Sequence, residues 1–117
     1  MRPDKLTNHF REALAAAQSL AVGRDHSEIH PLHVLAALLE GEGNVRTLLA
    51  QAGAKLPALM PALQTALGGL PKLGKPTGEV MVGQALAKLL NLTDRAAQQA
   101  GDGFISSDWF LLAAAED

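Results

Sequence analysis

Three histidines, His26, His30 and His33, crowd one short stretch together with Asp25 and Glu28. Imidazoles and carboxylates at such spacing are the material of a zinc site, and His30 and His33 share a face if one helix carries both. The remaining ligands are missing. The chain has no cysteine, and its fourth histidine, His9, falls on a different predicted helix. His30 directly precedes Pro31, which makes it a helix-cap position. His33 falls on the side that should meet the rest of the domain. The expectation is a structural role for the cluster and no metal.

Other reactive groups are no better placed. Without cysteine there is neither a thiolate nucleophile nor a disulfide. No Gly-x-Ser-x-Gly elbow and no Ser-His-Asp order occurs. Ser106-Ser107 precedes a predicted helix and reads as a cap, while Glu40-Gly-Glu42 and Glu116-Asp117 read as solvated helix ends. Gly68-Gly69 lacks the lysine that a phosphate loop places after its glycines. The sequence therefore offers no catalytic residue and no cofactor motif, and neither is expected.

Six stretches carry apolar residues at helical spacing. The first runs from about Asn8 to Val22, capped by Thr7 and ended by Gly23. The second starts near Pro31, carries Leu32, Leu35, Leu38 and Leu39, and stops at Gly41 and Gly43. The third spans Val45 to Ala52 and ends at Gly53; the fourth spans Leu56 to Leu67. Pro61 removes a donor inside that helix and predicts a kink or a late start. Leu70 to Gly78 holds Pro71, Gly74, Pro76 and Gly78 and reads as a linker. The fifth helix covers Gln84 to Ala100, and the sixth begins after Ser106.

Shifting the chain by 76 residues lays positions 10–40 over 86–116 without a gap, with Leu14/Leu90, Ala21/Ala97, Ile29/Ile105, Leu35/Leu111, Ala37/Ala113 and Glu40/Glu116 identical. The matches fall on the predicted core stripe. Each copy reads helix, polar turn, isoleucine, cap, helix, a unit too small to fold alone. The expected organisation is one domain over 1–117, with a first repeat near 5–69, a linker near 70–80 and a second repeat near 81–117. The second copy stops where two further helices follow in the first, and the last run, Trp109 to Ala115, is almost wholly apolar. Together these features suggest a domain excised from a longer chain.

Composition sets the class. At 117 residues and 48% apolar content the chain has the size and hydrophobicity of one globular domain. Alanine and leucine dominate and aromatics are 3%, which favours an all-α, helix-on-helix architecture of about 6–8 helices. A net charge of −2 with dispersed Lys and Arg argues against nucleic acid as a partner. No apolar run approaches a membrane span and the N-terminus does not lead into a signal-peptide core, so no membrane partner and a cytoplasmic location are expected. The isolated domain is expected to be monomeric.

Met1-Arg-Pro-Asp-Lys-Leu-Thr-Asn8, Ala17-Gln-Ser-Leu-Ala21, Ile29-His-Pro-Leu-His33 and Gly101-Asp-Gly-Phe-Ile-Ser-Ser107 resemble, in order and spacing, the Clp N-terminal repeat domain, in the form that opens the bacterial ClpB-type disaggregases. The resemblance covers essentially the whole chain. It implies a pseudo-twofold helical domain tethered ahead of two AAA+ ATPase rings, which bind the ATP that this segment has no motif to bind. It also implies that the domain contacts unfolded or aggregated polypeptides and that the parent works with a DnaK-type co-chaperone. Carried onto matching positions, it places a shallow apolar substrate groove at Leu90, Leu92 and Trp109, with Thr7, Asp102 and Asp108 involved in substrate handling. Asp108 departs from the family pattern, which has Glu there, and so has a shorter reach.

The residues themselves allow plainer roles. Thr7 is a helix cap, Asp102 sits in a Gly-Asp-Gly turn, and Asp108 lies in a first helical turn where the dipole favours a carboxylate. Leu90 lies nearer the core stripe than Leu92 does. A groove of about 300 Å² would yield roughly 7 kcal/mol gross, much of it consumed by association and ordering, so binding should be weak and sequence-tolerant. An adaptor-binding N-domain of another Clp ATPase, including a type VI secretion ATPase, is the alternative.

Overall fold

In the computed structural model, which describes residues 2–41, 45–72 and 80–116, the backbone hydrogen bonds outside the helices recur at the offset of 76 found in the sequence. Thr7 N–H donates to the Ile105 carbonyl at 3.0 Å, and Gly83 N–H donates to the Ile29 carbonyl at 3.1 Å. These are counterparts, since 7 + 76 = 83 and 29 + 76 = 105. Leu6 forms a parallel bridge with Ile105, and Val82 pairs in parallel with Ile29. Each half therefore lends the strand before its first helix to the strand before the other half's second helix.

The helices are α1 (Asn8–Gly23), α2 (Pro31–Glu40), α3 (Val45–Gln51), α4 (Leu56–Gly68), α5 (Gln84–Gln99) and α6 (Ser107–Glu116). A 3-10 turn at Pro3–Lys5 precedes them, and the two-residue strands β1 (Glu28–Ile29) and β2 (Met81–Val82) form the one small sheet among the described residues. The fold is all-α, as composition predicts. Helix boundaries fall within a residue or so of those expected. The α1–α2 pair and its counterpart α5–α6 are the two repeats, and α3 and α4 pack on α2.

Local chemistry accounts for the punctuation. Thr7 Oγ1 accepts from Phe10 N–H at 3.1 Å and caps α1. His30 Nδ1 accepts from Leu32 N–H at 3.1 Å, while His33 Nδ1 accepts from His30 N–H at 2.9 Å, a reciprocal cap on α2 built from two imidazoles. The turns after α1 and α5 need a left-handed residue, supplied by Asp25 (φ 58°) and its counterpart Gly101 (φ 74°). Helix α4 begins at Leu56 despite Pro61 and does not start late. The carbonyl left without a helical donor is that of Pro57, on the exposed side of the first turn, where water can satisfy it. Most of the expected linker, 73–79, lies outside the described residues.

The core is shared between the halves. Phe10 of α1 and Phe110 of α6 meet with ring centroids 5.4 Å apart. Their counterparts, Leu86 and Val34, are equally buried, as are Ile29 and Ile105. Neither half covers this layer alone, which is why the repeat must be double. One tie that the sequence does not announce spans the whole chain. The Arg2 guanidinium donates to Asp94 Oδ1 from Nη2 (2.7 Å) and Nε (3.0 Å), and Arg2 N–H reaches Oδ2 at 3.1 Å. Gln98 adds a bond from i+4. These donors, Arg2 foremost, hold the buried Asp94 carboxyl below its usual range.

Candidate functional site

Three elements frame the region that the sequence points to: the C-terminal end of α5, the Gly101–Ser106 turn and the start of α6. The turn is fixed at both ends by backbone. Asp102 N–H donates to Ala97 O at 2.9 Å, and Ile105 N–H donates to Lys5 O at 2.8 Å. Within it, Asp102 Oδ1 accepts from Phe104 N–H at 3.0 Å, and Oδ2 accepts from the Trp109 indole N–H at 2.8 Å. These two donors, the indole first, hold the exposed Asp102 carboxyl below its usual range. The Asp102 carboxylate thus orients Trp109, a half-buried ring.

The other candidates are placed as follows. Thr7 touches this region through its backbone bond to Ile105, and its hydroxyl is occupied by the α1 cap. His9 Nδ1 lies 2.9 Å from the buried Ser107 hydroxyl and ties α1 to the first turn of α6. Leu92 is half-buried and packs against the core, whereas Leu90 is 8% exposed and belongs to the core itself. Asp108 is exposed and lies on a different face of α6 from Trp109. It lines a groove of about 340 Å³ between α3 and α6 with Leu48, Leu49, Ala52, Leu111, Leu112 and Ala115. The structure therefore joins Asp102 to Trp109, links Thr7 to them through Ile105, and sets Asp108 beside a second apolar surface.

That α3–α6 groove, with Leu112 53% exposed at its wall, is not apparent from motif reading. Its signal was available: Leu112 stands where the repeat has the buried Ala36. Phe104, Met81 and Val82 are further exposed apolar residues, all on the inter-repeat strands and turns.

The three histidines bond to one another and to the α2 backbone. His26 and His33 are fully buried, with His26 Nδ1 2.6 Å from His33 Nε2, and His30 caps α2. No group of three metal-ligating side chains occurs among the described residues. Burial, the first cause for each, lowers the pKa of all three, that of His33 to about 4.

The two halves treat equivalent positions differently. His26 and His33 in the first half correspond to Asp102 and Trp109 in the second, and each pair joins its turn to its helix by a side-chain hydrogen bond. The first pair is buried, and the second is at the surface. Likewise Leu92 stands where the first half has Ala16, which lines a cleft of about 210 Å³ between α1 and α2.

Comparison with known proteins bears on what this surface serves. The family model for the Clp repeat (R) N-terminal domain matches residues 5–117. Chaperone protein ClpB of Pseudomonas putida is 50% identical over the whole of this chain, and that of Dichelobacter nodosus is 50% identical over 93% of it. The chain spans 14% and 13% of the length of these two relatives. Among solved structures, the Hsp104 N-terminal domain from Candida albicans matches 97% of this chain and 75% of its own with a TM-score of 0.87 at 25% identity. The N-terminal domain (1–163) of ClpV1 ATPase from E. coli EAEC Sci1 T6SS matches 97% of this chain and 69% of its own, with a TM-score of 0.86 at 30% identity.

Proposed function

The chain belongs to the Clp repeat N-terminal domain family, and from that premise we propose that it is the substrate-binding N-module of a ClpB-type disaggregase. In this reading it holds exposed apolar segments of unfolded or aggregated polypeptides weakly and passes them to the ATPase rings of its parent. The domain performs no catalysis, ATP is bound and hydrolysed elsewhere in the parent, and a DnaK-type partner acts at the level of the parent in the cytoplasm.

One observation carries the reading. Where the first half closes over His26 and His33, the second presents a half-buried indole, an ionised carboxylate and the partly exposed Leu92. An apolar surface with few fixed polar groups binds without strict sequence demands, because apolar contact is non-directional. Its small area limits affinity, and several copies on a ring would restore it through avidity.

A second reading rests on the α3–α6 groove. Its length along α6 and its leucine lining suit the apolar face of one helix, as an adaptor or a secretion-system partner would offer. Likeness to the ClpV1 N-terminal domain supports keeping it.

Trp109 is the sole tryptophan and reports on the first reading directly. A permanently unfolded, tryptophan-free polypeptide should change its emission saturably in the high-micromolar range. Leu92→Ala should weaken that response while the fold survives. No change at millimolar polypeptide overturns the reading and leaves the helix-partner alternative.

A further inference from the structure

We propose that the Gly101–Phe104 turn is a docking edge for an extended polypeptide of the pattern apolar–any–basic, which gives a backbone carbonyl to Gly103 N–H and sets its basic side chain against Asp102. The inference rests on the functional reading above and specifies how the bound chain is held.

The molecule contains the filled version of this edge. In the first half, the segment leaving α4 crosses the Arg24–Ser27 turn. Ser27 N–H donates to the Pro71 carbonyl at 3.1 Å, and His26 forms an antiparallel bridge with Lys72. Leu70, at the start of the same segment, packs against the core. The crossing chain is thus Leu70-Pro71-Lys72: an apolar anchor, a carbonyl donated to the turn, and a basic residue opposite position 26.

The second half repeats the turn. His26 N–H donates to Ala21 O at 3.0 Å and Asp102 N–H to Ala97 O at 2.9 Å. Asp25 and Gly101 share the left-handed conformation, and Ile29 and Ile105 share the strand pairing that follows. Gly103 N–H, the counterpart of Ser27 N–H, has no acceptor among the described residues, and no described segment crosses the turn. Asp102, Gly103 and Phe104 are all exposed. The same backbone edge is therefore covered in one half and open in the other.

The replaced side chains define the occupant. The first edge sets a neutral histidine opposite Lys72. The second sets a carboxylate there, already oriented by the Trp109 and Phe104 N–H groups. The open edge thus suits a cation better than the covered one does. Phe104, 61% exposed where the first half has Glu28, supplies apolar surface for the anchor residue. Main-chain pairing accepts many sequences and adds directional bonds to an otherwise apolar contact, as an unfolded substrate requires.

The probe is a capped, tryptophan-free peptide with Leu-Pro-Lys at its centre, titrated into the 117-residue chain while Trp109 emission and amide exchange at Gly103 are followed. Saturable binding with slowed exchange at Gly103 is expected. Replacing the peptide lysine by glutamate should weaken binding by about tenfold, as should Gly103→Pro, which deletes the donor. Gly103→Ala should stay within about twofold of wild type, because its Cβ would meet open space. If Gly103→Pro does not fold, exchange at the wild-type Gly103 amide reads the same bond. Unchanged exchange at Gly103, with equal affinity for the lysine and glutamate peptides, overturns the edge but not the substrate reading. Binding of unfolded polypeptide without binding of the peptide does the same. Failure of both ligands overturns both. A Gly103 amide protected without peptide, in a chain that dimerises on sedimentation, assigns the edge to a second copy and also overturns the proposal.

Discussion

Acid should destabilise this domain through one pair of imidazoles, and the hydrogen bonds say how. His33 Nδ1 accepts the His30 backbone N–H, so it carries a lone pair and the neutral ring holds its proton on Nε2. That proton points at His26 Nδ1, 2.6 Å away, which must accept; the His26 proton then sits on Nε2, buried and without a partner among the described residues. An added proton must go on His33 Nδ1, facing the His30 N–H, or on His26 Nδ1, facing the His33 N–H. Either sets donor against donor. Burial and the nearby charges of Arg24 and Lys72 add to the penalty, and Asp25 only partly offsets it.

The consequence for stability has a definite sign. The folded pKa of His33 lies near 4 and its ordinary value is 6.5, so between those limits the unfolded chain binds more protons. Stability from this source is flat above pH 6.5, falls by about 1.4 kcal/mol per unit below it, and levels off near pH 4, a loss of roughly 3 kcal/mol. The control is His33→Gln. Glutamine at the third helical position completes a capping box with its carbonyl and can still donate toward His26, but it does not titrate. Urea unfolding followed by circular dichroism from pH 8 to pH 4 measures both proteins, and contributions from His30 and Asp94 cancel between them. The wild type should lose about 3 kcal/mol relative to His33→Gln across that range. Parallel stability curves would refute the tautomer assignment and the coupling built on it.

Other perturbations test the remaining supports. Arg2→Ala strips the charged partner from a buried carboxylate and should cost about 1–3 kcal/mol in urea unfolding. The wild-type stability from this pair should be present above the ordinary carboxylate pKa and fade as pH falls below it, because the Asp94 pKa is lowered. Phe110→Ala opens a hole in the layer shared by both halves and should cost about 3–5 kcal/mol by thermal or chemical melting. Gly101→Ala forces a side chain into the left-handed region at φ 74° and should cost about 1 kcal/mol, whereas Gly68→Ala, in a helix end with open space, should be neutral or stabilising.

Much of this architecture is legible in the residues because the same code is written twice. Six identities at an offset of 76 are few, yet they include Ile29 and Ile105, the two residues through which the halves exchange strands. Thr7, Gly23, Pro31 and Gly53 mark helix ends by local stereochemistry, which acts over a few residues and can be read from a few residues. What escaped the sequence is what joins distant positions. Nothing near Arg2 announces Asp94, and nothing near His26 announces that its ring faces His33. Pro61 does not delay the start of α4, because the carbonyl it orphans lies on the exposed side of the helix, where water can satisfy it.

The candidate site is legible through the family resemblance, and its exposure only by comparing the halves. The family resemblance nominates Leu90 and Leu92 together, yet helical spacing sets Leu90 nearer the core stripe, and Leu90 is in the core while Leu92 is half-buried. Adjacent Asp108 and Trp109 diverge for the same reason, since about 100° of helix rotation sends one to the α3–α6 groove and the other to Asp102. Duplication leaves two copies of each surface, and the core needs both halves only at Phe10, Val34, Leu86, Phe110 and their neighbours. Elsewhere the copies are free to diverge. The first copy spent its turn on closure: His26 and His33 bond to each other beneath the segment that leaves α4. In the second, Asp102 and Trp109 keep the side-chain bond that holds turn to helix, while Gly103 and Phe104 leave the edge above it uncovered. Both copies thus share the core, while only the second leaves an apolar, acidic edge exposed. Exchanging the two roles would require burying a carboxylate held by only two neutral donors, the Trp109 indole and the Phe104 N–H, and so the open copy is the one that carries the charge.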